Sequence, residues 1–434
     1  MKTAQAIRTF GIGASGWCVS GQAWRKLGGS ILGYPQPAMS AAIDNRLSDT
    51  EERDAVALLR DLIRANSINP PGNEAGVVEV LRARAEAWGL DTQLVPVADG
   101  RPNLFVRLPG TGQAAPLVLS GHTDTVPPGE LSWEHDPLSA DLVDGPAGPE
   151  VWGRGAVDMK GGLAAMLAAM GALRSRGWRP RGDVLLACTV GEEADCLGAH
   201  HLVKSGALAG AQGIIIGEPT LLDVVPAHRG ALWLEIKAYG KTAHGSMPHL
   251  GVNAILHLAE LLRWIVGKEY AHTPHALLAP PTVNVGTIRG GIKTNVVPDY
   301  CVATVDLRSV PGQSHPQILS EVRDLAAELV STVPGLAVEV EPINDVPPIE
   351  TAVDHPLVTT AVAAVSGVRG TTPAVRGASY YTDGGIFAQL GIPTIIFGPG
   401  DDKLCHQPNE RIEVAQLLAG TRGYIAILNR LLGA

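Results

Sequence analysis

Five short segments of the sequence carry histidine or acidic side chains at points where strands end or helices begin. Their candidate functional residues are His122 and Asp124, Asp158, Glu192 and Glu193, Glu218, and His406. In open α/β sheets, ligands bind just beyond the carboxyl ends of the strands, so side chains at these points can share one site. Each residue alone has a structural explanation, either as a helix cap or as part of a solvated loop. Their joint occurrence is what indicates a functional site.

The donor types in this set favour a particular class of ligand. Imidazole nitrogen and carboxylate oxygen, without thiolates, suit borderline divalent cations such as Zn²⁺. The adjacent carboxylates of Glu192 and Glu193 repel each other unless a cation lies between them or one of them is protonated. Two imidazoles and three carboxylates, one of them shared, satisfy two cations and leave positions open for water. The residues therefore predict a two-metal hydrolytic centre.

The elements that position these residues follow an alternating pattern. Ser48–Glu51 has the capping-box sequence that opens a helix, and 159–176 is a long helix rich in alanine, methionine and leucine. Apolar strands are expected at 184–190 and 213–216. Strands and helices that alternate at this spacing predict a mainly parallel sheet with helices on both faces, so the fold class is α/β.

A second domain interrupts the first. Residues 231–239 alternate between apolar and polar side chains, as a half-exposed antiparallel strand does. About four strands and two helices follow this pattern, which predicts an inserted α+β sandwich over residues 227–343. The α/β pattern then returns, so residues 48–226 and 344–434 are expected to form one catalytic domain.

The first 47 residues do not follow either pattern, and we expect them to form an N-terminal extension. Glycines interrupt their scattered apolar residues and no cleavage-site pattern follows, so a secretory signal fits poorly. Helical periodicity begins near Ser48, shortly after Met39. We therefore expect residues 1–38 to be disordered or to arise from an upstream start that the native protein does not use.

Composition excludes several classes of function. The chain has 434 residues, with 34 Lys and Arg against 43 Asp and Glu, and its net charge of −9 does not suit non-specific nucleic-acid binding. No run approaches the roughly 18 consecutive apolar residues of a membrane span. The five cysteines form no C-x-x-C pair and no disulfide framework, which suits a reducing compartment. We expect a cytoplasmic protein that binds neither nucleic acid nor membrane.

The order and setting of the motifs resemble those of a known family of dizinc metallopeptidases and aminoacylases. That family includes acetylornithine deacetylase, succinyl-diaminopimelate desuccinylase, aminoacylase and glutamate carboxypeptidase. The resemblance covers roughly residues 58–432. The segments that carry it are His122-x-Asp124, Gly155–Gly162, Gly191-Glu192-Glu193, Gly217-Glu218-Pro219 and Cys405-His406.

The resemblance implies how the metal ligands divide between two zinc ions, although Co²⁺ or Mn²⁺ remains open as the metal in the cell. His122 and Glu218 hold one ion, Glu193 and His406 hold the other, and Asp158 bridges the two. All five positions carry the residue types that the family pattern requires. The fold that this resemblance implies is a zinc-hydrolase catalytic domain with an inserted domain for dimerisation and covering the site.

The resemblance also implies two roles beside the metals. Asp124 lies behind His122 and fixes the orientation of its imidazole. Glu192 is the general base, which takes a proton from the attacking water and delivers it to the leaving amine.

Three further residues are expected to serve the substrate from the inserted domain. By resemblance, His244 stabilises the oxyanion in the active site of the neighbouring subunit, and Asn295 assists it. Arg308 grips a substrate carboxylate with its guanidinium fork. From the residues alone, His244 also fits a loop histidine, and Arg308 also fits an ordinary surface ion pair. The loop 377–385 resembles one that lines the family's substrate pocket, and the role of its paired tyrosines stays open.

These features predict an amidohydrolase that acts on an N-acyl amino acid or a related small amide with a free carboxylate, and a homodimer by resemblance. Two alternatives remain: a dizinc dipeptidase or carboxypeptidase, and a metal-binding dimer without catalysis. A nucleotide-binding protein is disfavoured because the glycines at 153 and 155 do not fit the spacing of either common phosphate loop.

Overall fold

The computed structural model describes residues 44–433. The expected extension over residues 1–47 lies outside the described residues except for its last four positions. Among the described residues, no helix combines the length and the apolar character that crossing a membrane requires.

Helices and strands alternate along most of the described chain. The α-helices within it are α1 (Asp49–Arg64), α2 (Ala75–Ala87), α3 (Lys160–Ser175), α4 (Leu197–Ser205), α5 (Ala254–Gly267), α6 (His315–Thr332), α7 (Pro356–Arg369), α8 (Gly384–Phe387) and α9 (Val414–Leu432). The strands are β1 (Asp91–Ala98), β2 (Arg101–Leu108), β3 (Leu117–His122), β4 (Asp141–Gly145), β5 (Gly148–Trp152), β6 (Val184–Thr189), β7 (Gly213–Ile216), β8 (Val224–His228), β9 (Gly230–Tyr239), β10 (Thr282–Gly290), β11 (Tyr300–Ser309), β12 (Ala337–Val346), β13 (Ile349–Glu350), β14 (Val375–Ala378), β15 (Thr394–Ile396) and β16 (Arg411–Glu413).

The larger sheet confirms the predicted α/β class. Its strand order is β1-β2-β6-β3-β7-β15-β8-β13, with β14 beside β8, and the neighbours β6, β3, β7 and β15 run parallel. Every residue of β3, β6 and β7 is buried, as continuous apolar runs require when both faces of a sheet are covered. Apolar residues of α1, α2, α3, α7 and α9 pack on one face, and those of α4 and α8 pack on the other.

The inserted unit is a separate antiparallel sheet with order β10-β11-β9-β12, and it runs from Gly230 to Val346. Side chains of β9 alternate between buried and half-exposed, because α5 and α6 cover only one face of this sheet. Neither α5 nor α6 covers the other face. The chain crosses between the two sheets between His228 and Gly230 and again between Val346 and Ile349.

A third, small sheet joins β16, β5 and β4 next to the main domain. It pairs residues far apart in sequence, since Arg411 lies opposite Trp152. The sequence patterns did not indicate these short strands.

Candidate metal centre

The carboxyl ends of three neighbouring strands form the base of the site. Because β6, β3 and β7 are adjacent and parallel, the residues that end or follow them lie at the same edge of the sheet. His122 is the last residue of β3, Glu192 and Glu193 come shortly after β6, and Glu218 comes shortly after β7.

Two loops complete the ligand set. The loop before α3 supplies Asp158, whose two oxygens face two different histidines: Oδ1 lies 3.1 Å from His122 Nε2, and Oδ2 lies 3.1 Å from His406 Nε2. Glu218 Oε1 lies 3.3 Å from His122 Nε2, and Glu193 Oε2 lies 3.1 Å from His406 Nε2. The structure therefore groups the five residues into two sets that share Asp158.

These separations fit the ligand shells of two divalent cations. Ligand atoms about 2.0–2.1 Å from a tetrahedral metal lie roughly 3.3 Å from one another. One candidate atom from each of His122, Asp158 and Glu193 lies within 4.8 Å of the others. Glu193 Oε1 is buried and has no hydrogen-bond partner among residues 44–433, as expected for a ligand atom directed at a cation. The donor set therefore suits a pair of divalent metal ions.

The electrostatics of the cluster also call for added positive charge. Burial raises the pKa of Glu192 well above its ordinary value, raises that of Glu193, and raises that of Glu218 to about 7. Burial acts in the same direction on Asp158, but contacts with the two histidines hold its pKa below the ordinary range. Contacts with Asp158 and Glu193 raise the pKa of His406 to about 10. Such a concentration of buried carboxylates is costly unless cations compensate it.

Asp124 holds two parts of the site together. Its backbone carbonyl oxygen lies 3.0 Å from His122 Nδ1, and its carboxylate Oδ1 lies 3.5 Å from the same nitrogen. The carboxylate accepts hydrogen bonds from Asn69 Nδ2 at 2.9 Å and from the three backbone N–H groups of 191–193 at 3.1, 3.2 and 3.2 Å. Asp124 thus orients the imidazole chiefly through its main chain, and its side chain anchors the loop that carries Glu192.

Glu410 is a second anchor, which the sequence motifs did not indicate. Its buried carboxylate accepts the backbone N–H groups of Gly155, Val157 and Asp158 at 3.1, 2.8 and 3.0 Å. It also accepts a hydrogen bond from Arg154 Nη1 at 2.6 Å. Since Glu410 follows His406 by four positions, its hydrogen bonds connect the loop that carries Asp158 to the segment that carries His406. Nothing in the local spacing indicated this role.

The alternative explanation of Asp158 as a helix cap does not apply. Met159 occupies the N-cap position of α3, and no side chain caps that helix end. The adjacent histidines His200 and His201 lie on α4 and take no part in the cluster.

A cavity of about 460 Å³ opens onto the cluster, and its walls come from both domains. Glu192 lines it, with Oε2 4.0 Å from His122 Nε2. The inserted sheet contributes Trp233 and Arg308, and the segment before α8 contributes Tyr380 and Tyr381.

His244 and Asn295 lie elsewhere on the same chain. They are neighbours on the inserted domain, where residues 244 and 296 form a bridge and Gly245 N donates to Asn295 O at 2.8 Å. Both are exposed, and neither lines the cavity described above. His244 Nδ1 lies 2.8 Å from Ser246 Oγ. The structure of one chain therefore brings seven of the predicted residues and Arg308 to the site, but not these two.

A mainly parallel sheet with two imidazoles and three carboxylates converging at its carboxyl edge defines a class of protein, the metal-dependent hydrolases. Residues 118–430 match the family model described as Peptidase family M20/M25/M40. The chain therefore belongs to this family, and it is a hydrolase of amide bonds.

Individual relatives point in the same direction. An acetylornithine deacetylase of Aliivibrio salmonicida is 32% identical over 344 residues, covering 77% of this chain and 86% of the relative. A protein of Staphylococcus epidermidis, described as "Probable succinyl-diaminopimelate desuccinylase", is 31% identical over 401 residues, covering 83% and 93%. A solved structure of an M20 family metallo-carboxypeptidase from Sulfolobus solfataricus superposes with a TM-score of 0.72 at 21% identity, covering 87% of this chain and 100% of that one.

Proposed function

We propose that this protein removes the acyl group from an N-acyl amino acid or a related small amide with a free carboxylate. The observation that carries this proposal is the placement of Glu192 beside the buried ligand cluster, with Arg308 on the wall of the same cavity. Relatives named as a deacetylase and as a desuccinylase support it.

The ligand assignment is part of this proposal. His122 and Glu218 would hold one cation, Glu193 and His406 the other, and Asp158 would be shared. When bound, divalent cations supply Lewis-acid chemistry, since they lower the pKa of water and polarise a carbonyl group. Zn²⁺ is the proposed metal, with Co²⁺ or Mn²⁺ as alternatives, because imidazole and carboxylate donors accept all three.

The side chains that surround the cations have separate tasks. Glu192 takes a proton from the attacking water and passes it to the leaving amine. Burial raises the pKa of Glu192, which suits a group that must hold that proton between the two transfers. Arg308 binds the substrate carboxylate, because a planar fork of N–H donors matches the two carboxylate oxygens.

The proposed enzyme is a homodimer that pairs through the inserted domain. Strand β10 lies at an edge of its sheet and contacts helix α5, and large apolar side chains are exposed on β10, just after it and on α5. Ile288, Ile292 and Leu256 are 48%, 83% and 66% exposed. Unpaired edges and exposed apolar patches are common at interfaces. Pairing would also allow His244 and Asn295 to reach a partner's site. Light scattering on the protein as it elutes from a size-exclusion column should give a mass of twice 45.3 kDa. The mass of a single chain would rule the dimer out.

The activity is tested with a panel of amides after loading with each metal. We expect N-acetyl, N-succinyl or N-carbamoyl amino acids to be hydrolysed with a higher kcat/KM than dipeptides, and about two metal ions per chain by elemental analysis. Faster turnover of dipeptides, or release of C-terminal residues from longer peptides, would instead establish the peptidase alternative. Metal-loaded protein that hydrolyses neither class would be a metal-binding protein without catalysis.

The cytoplasm is the proposed compartment. The cysteines within residues 44–433, which are Cys188, Cys196, Cys301 and Cys405, are all free, as thiols are in a reducing environment. Fractionation of cells that produce the protein at its native level tests this proposal.

A further inference from the structure

One wall of the cavity carries two aromatic side chains and a guanidinium group. The ring of Tyr381 lies under Arg308, with Cζ 5.5 Å from the ring centroid. Trp233 meets the same tyrosine edge to face, with ring centroids 6.2 Å apart and planes at 76°. All three side chains line the cavity that opens onto the ligand cluster.

Arg308 is held so that its fork stays available. Its Nε donates a hydrogen bond to Asp306 Oδ2 at 3.1 Å, and the ring of Tyr381 lies on one side of the guanidinium group. The two terminal nitrogens have no hydrogen-bond partner within residues 44–433. A guanidinium group that is held at Nε and along one face presents its two terminal nitrogens to a carboxylate in a defined position.

Trp233 presents hydrocarbon to the cavity. It lies on the face of β9 that α5 and α6 leave uncovered, opposite Asp306 on β11 and Asn344 on β12. Its indole nitrogen is buried and has no hydrogen-bond partner among the described residues. Because that nitrogen is turned inward, the accessible part of the indole ring is carbon, which favours contact with an apolar group.

The position of a substrate side chain follows from its covalent geometry. In an amino acid, the carboxylate and the side chain branch from the same carbon atom. Whatever surrounds the carboxylate at Arg308 therefore also surrounds the first atoms of the side chain. We propose that Trp233 and Tyr381 form the subsite for this side chain, and that the enzyme prefers N-acyl amino acids with apolar or aromatic side chains. This proposal rests on the proposed deacylase function.

The charges on this wall disfavour a cationic side chain. Apart from Glu192 and the proposed ligands, Asp402 is the acidic residue that lines the cavity within the described chain, and Arg376 already pairs with it at 3.1 Å. Arg308 itself is cationic, and a second guanidinium, that of Arg229, is close enough for the charge of Arg308 to act on it. An ammonium group near Arg308 would therefore meet repulsion from two guanidinium groups. The carboxylate of Asp306 is close by, but it already pairs with Arg308 and does not line the cavity. Ornithine carries such a group, so the preference would differ from that of the relatives named acetylornithine deacetylase.

The first experiment compares substrates on the metal-loaded wild-type protein. N-acetyl-L-leucine and N-acetyl-L-phenylalanine should have a kcat/KM at least about 10-fold higher than N-acetylglycine, because they bury apolar surface that glycine lacks. Their kcat/KM should exceed that of N-acetyl-L-ornithine by a similar factor. A preference for N-acetyl-L-ornithine over N-acetyl-L-leucine overturns the proposal and leaves the deacylase function intact.

The second experiment assigns the preference to the aromatic wall. Trp233→Ala should lower the ratio of kcat/KM for N-acetyl-L-leucine over N-acetylglycine at least about fivefold, mainly through KM, and Trp233→Phe should restore most of it. Tyr239→Ala is the matched control, because Tyr239 is an aromatic residue on the same face of β9 about 20 Å farther along the strand. The control should keep the wild-type ratio. An unchanged ratio in Trp233→Ala would overturn the assignment.

A binding measurement separates this proposal from the proposed function. If no N-acyl amino acid is hydrolysed, the deacylase function is wrong, and the same compounds are titrated by calorimetry into metal-loaded Glu192→Gln protein. Tighter binding of N-acetyl-L-leucine than of N-acetyl-L-ornithine, lost in Trp233→Ala, supports the subsite. Equal binding, or tighter binding of the ornithine derivative, overturns it.

Discussion

The two domains present their predicted functional residues in opposite ways. In the catalytic domain, His122 is 1% exposed and its neighbours in the cluster are fixed by hydrogen bonds from several loops. In the inserted domain, Arg308 lines the cavity of that cluster, whereas His244 and Asn295 are exposed and do not line it. The catalytic domain alone assembles the ligand cluster, whereas His244 and Asn295 of the inserted domain are groups that need a second surface to act on.

The physical reason for the difference is the cost of burial. Carboxylates gathered in a buried pocket are tolerated only where hydrogen bonds and cations compensate their charge. Asp124 and Glu410 supply such hydrogen bonds to the loops that carry the ligands. A surface histidine needs no such support, and within residues 44–433 Ser246 supplies the one side-chain hydrogen-bond partner of His244. The predictions below test this contrast.

The largest effect is expected for Glu192→Gln. The amide cannot accept and return a proton, so kcat should fall by about 10²–10⁴-fold. Because Glu192 is not among the proposed ligands, elemental analysis should still find the wild-type metal content. Turnover close to the wild-type rate would show that another group is the base, and a loss of metal would make Glu192 a ligand.

A slightly smaller loss is expected for His244→Ala. Removing one oxyanion donor typically costs about 10²–10³-fold in kcat, and metal content should not change. If His244 acts on a partner's site, mixing His244→Ala protein with Glu192→Gln protein under conditions of subunit exchange should restore activity. Random pairing gives about a quarter of the wild-type rate, because half the dimers are mixed and each contains one intact site. No recovery in dimers shown to be mixed would place His244 outside catalysis across the interface.

Glu410→Gln should weaken metal binding by about 10–100-fold, as changes behind metal ligands commonly do. An amide loses one acceptor oxygen and sets an N–H group against the backbone donors of residues 155–158. Competition with a chelator measures the affinity. Glu413→Gln, a change of the same kind three positions later, should retain wild-type affinity. Equal affinity in both variants would remove Glu410 from the site.

The smallest effect concerns stability and pH. Burial lowers the pKa of His228 from the ordinary value of about 6.5 to about 4. As the pH falls below about 6.5, His228 therefore binds a proton in the unfolded chain but stays neutral in the folded chain. The free energy of unfolding declines as a result until the pH reaches about 4. Between pH 7 and pH 5 this amounts to about 2 kcal/mol.

Urea unfolding at the two pH values measures this effect. The loss of stability from pH 7 to pH 5 should be about 2 kcal/mol smaller in His228→Gln than in the wild type. His249→Gln removes an exposed histidine instead and should show the wild-type loss. If both variants behave like the wild type, His228 does not contribute to the pH dependence.

Much of the fold could be predicted because its strongest signals are local. The periodicity of α3 and the apolar runs of β6 and β7 indicate their secondary structure within a few residues. The capping box at Ser48 was predicted and is confirmed, with Ser48 N bonded to Glu51 Oε2 at 2.7 Å and Glu51 N to Ser48 Oγ at 3.3 Å. Short strands such as β4, β5 and β16 gave no such signal, because their pairing depends on distant partners.

For the site, the sequence by itself determined which residues stand at strand ends and which donor chemistry they offer. Only the tertiary structure decided that the two oxygens of Asp158 face two different histidines, and that Glu410 supports the Asp158 loop from 252 positions away. It also decided that Tyr381 lies against Arg308 and that Trp233 packs against Tyr381. Residue types and periodicity depend on the local chain, whereas contacts between distant segments depend on how the whole chain packs.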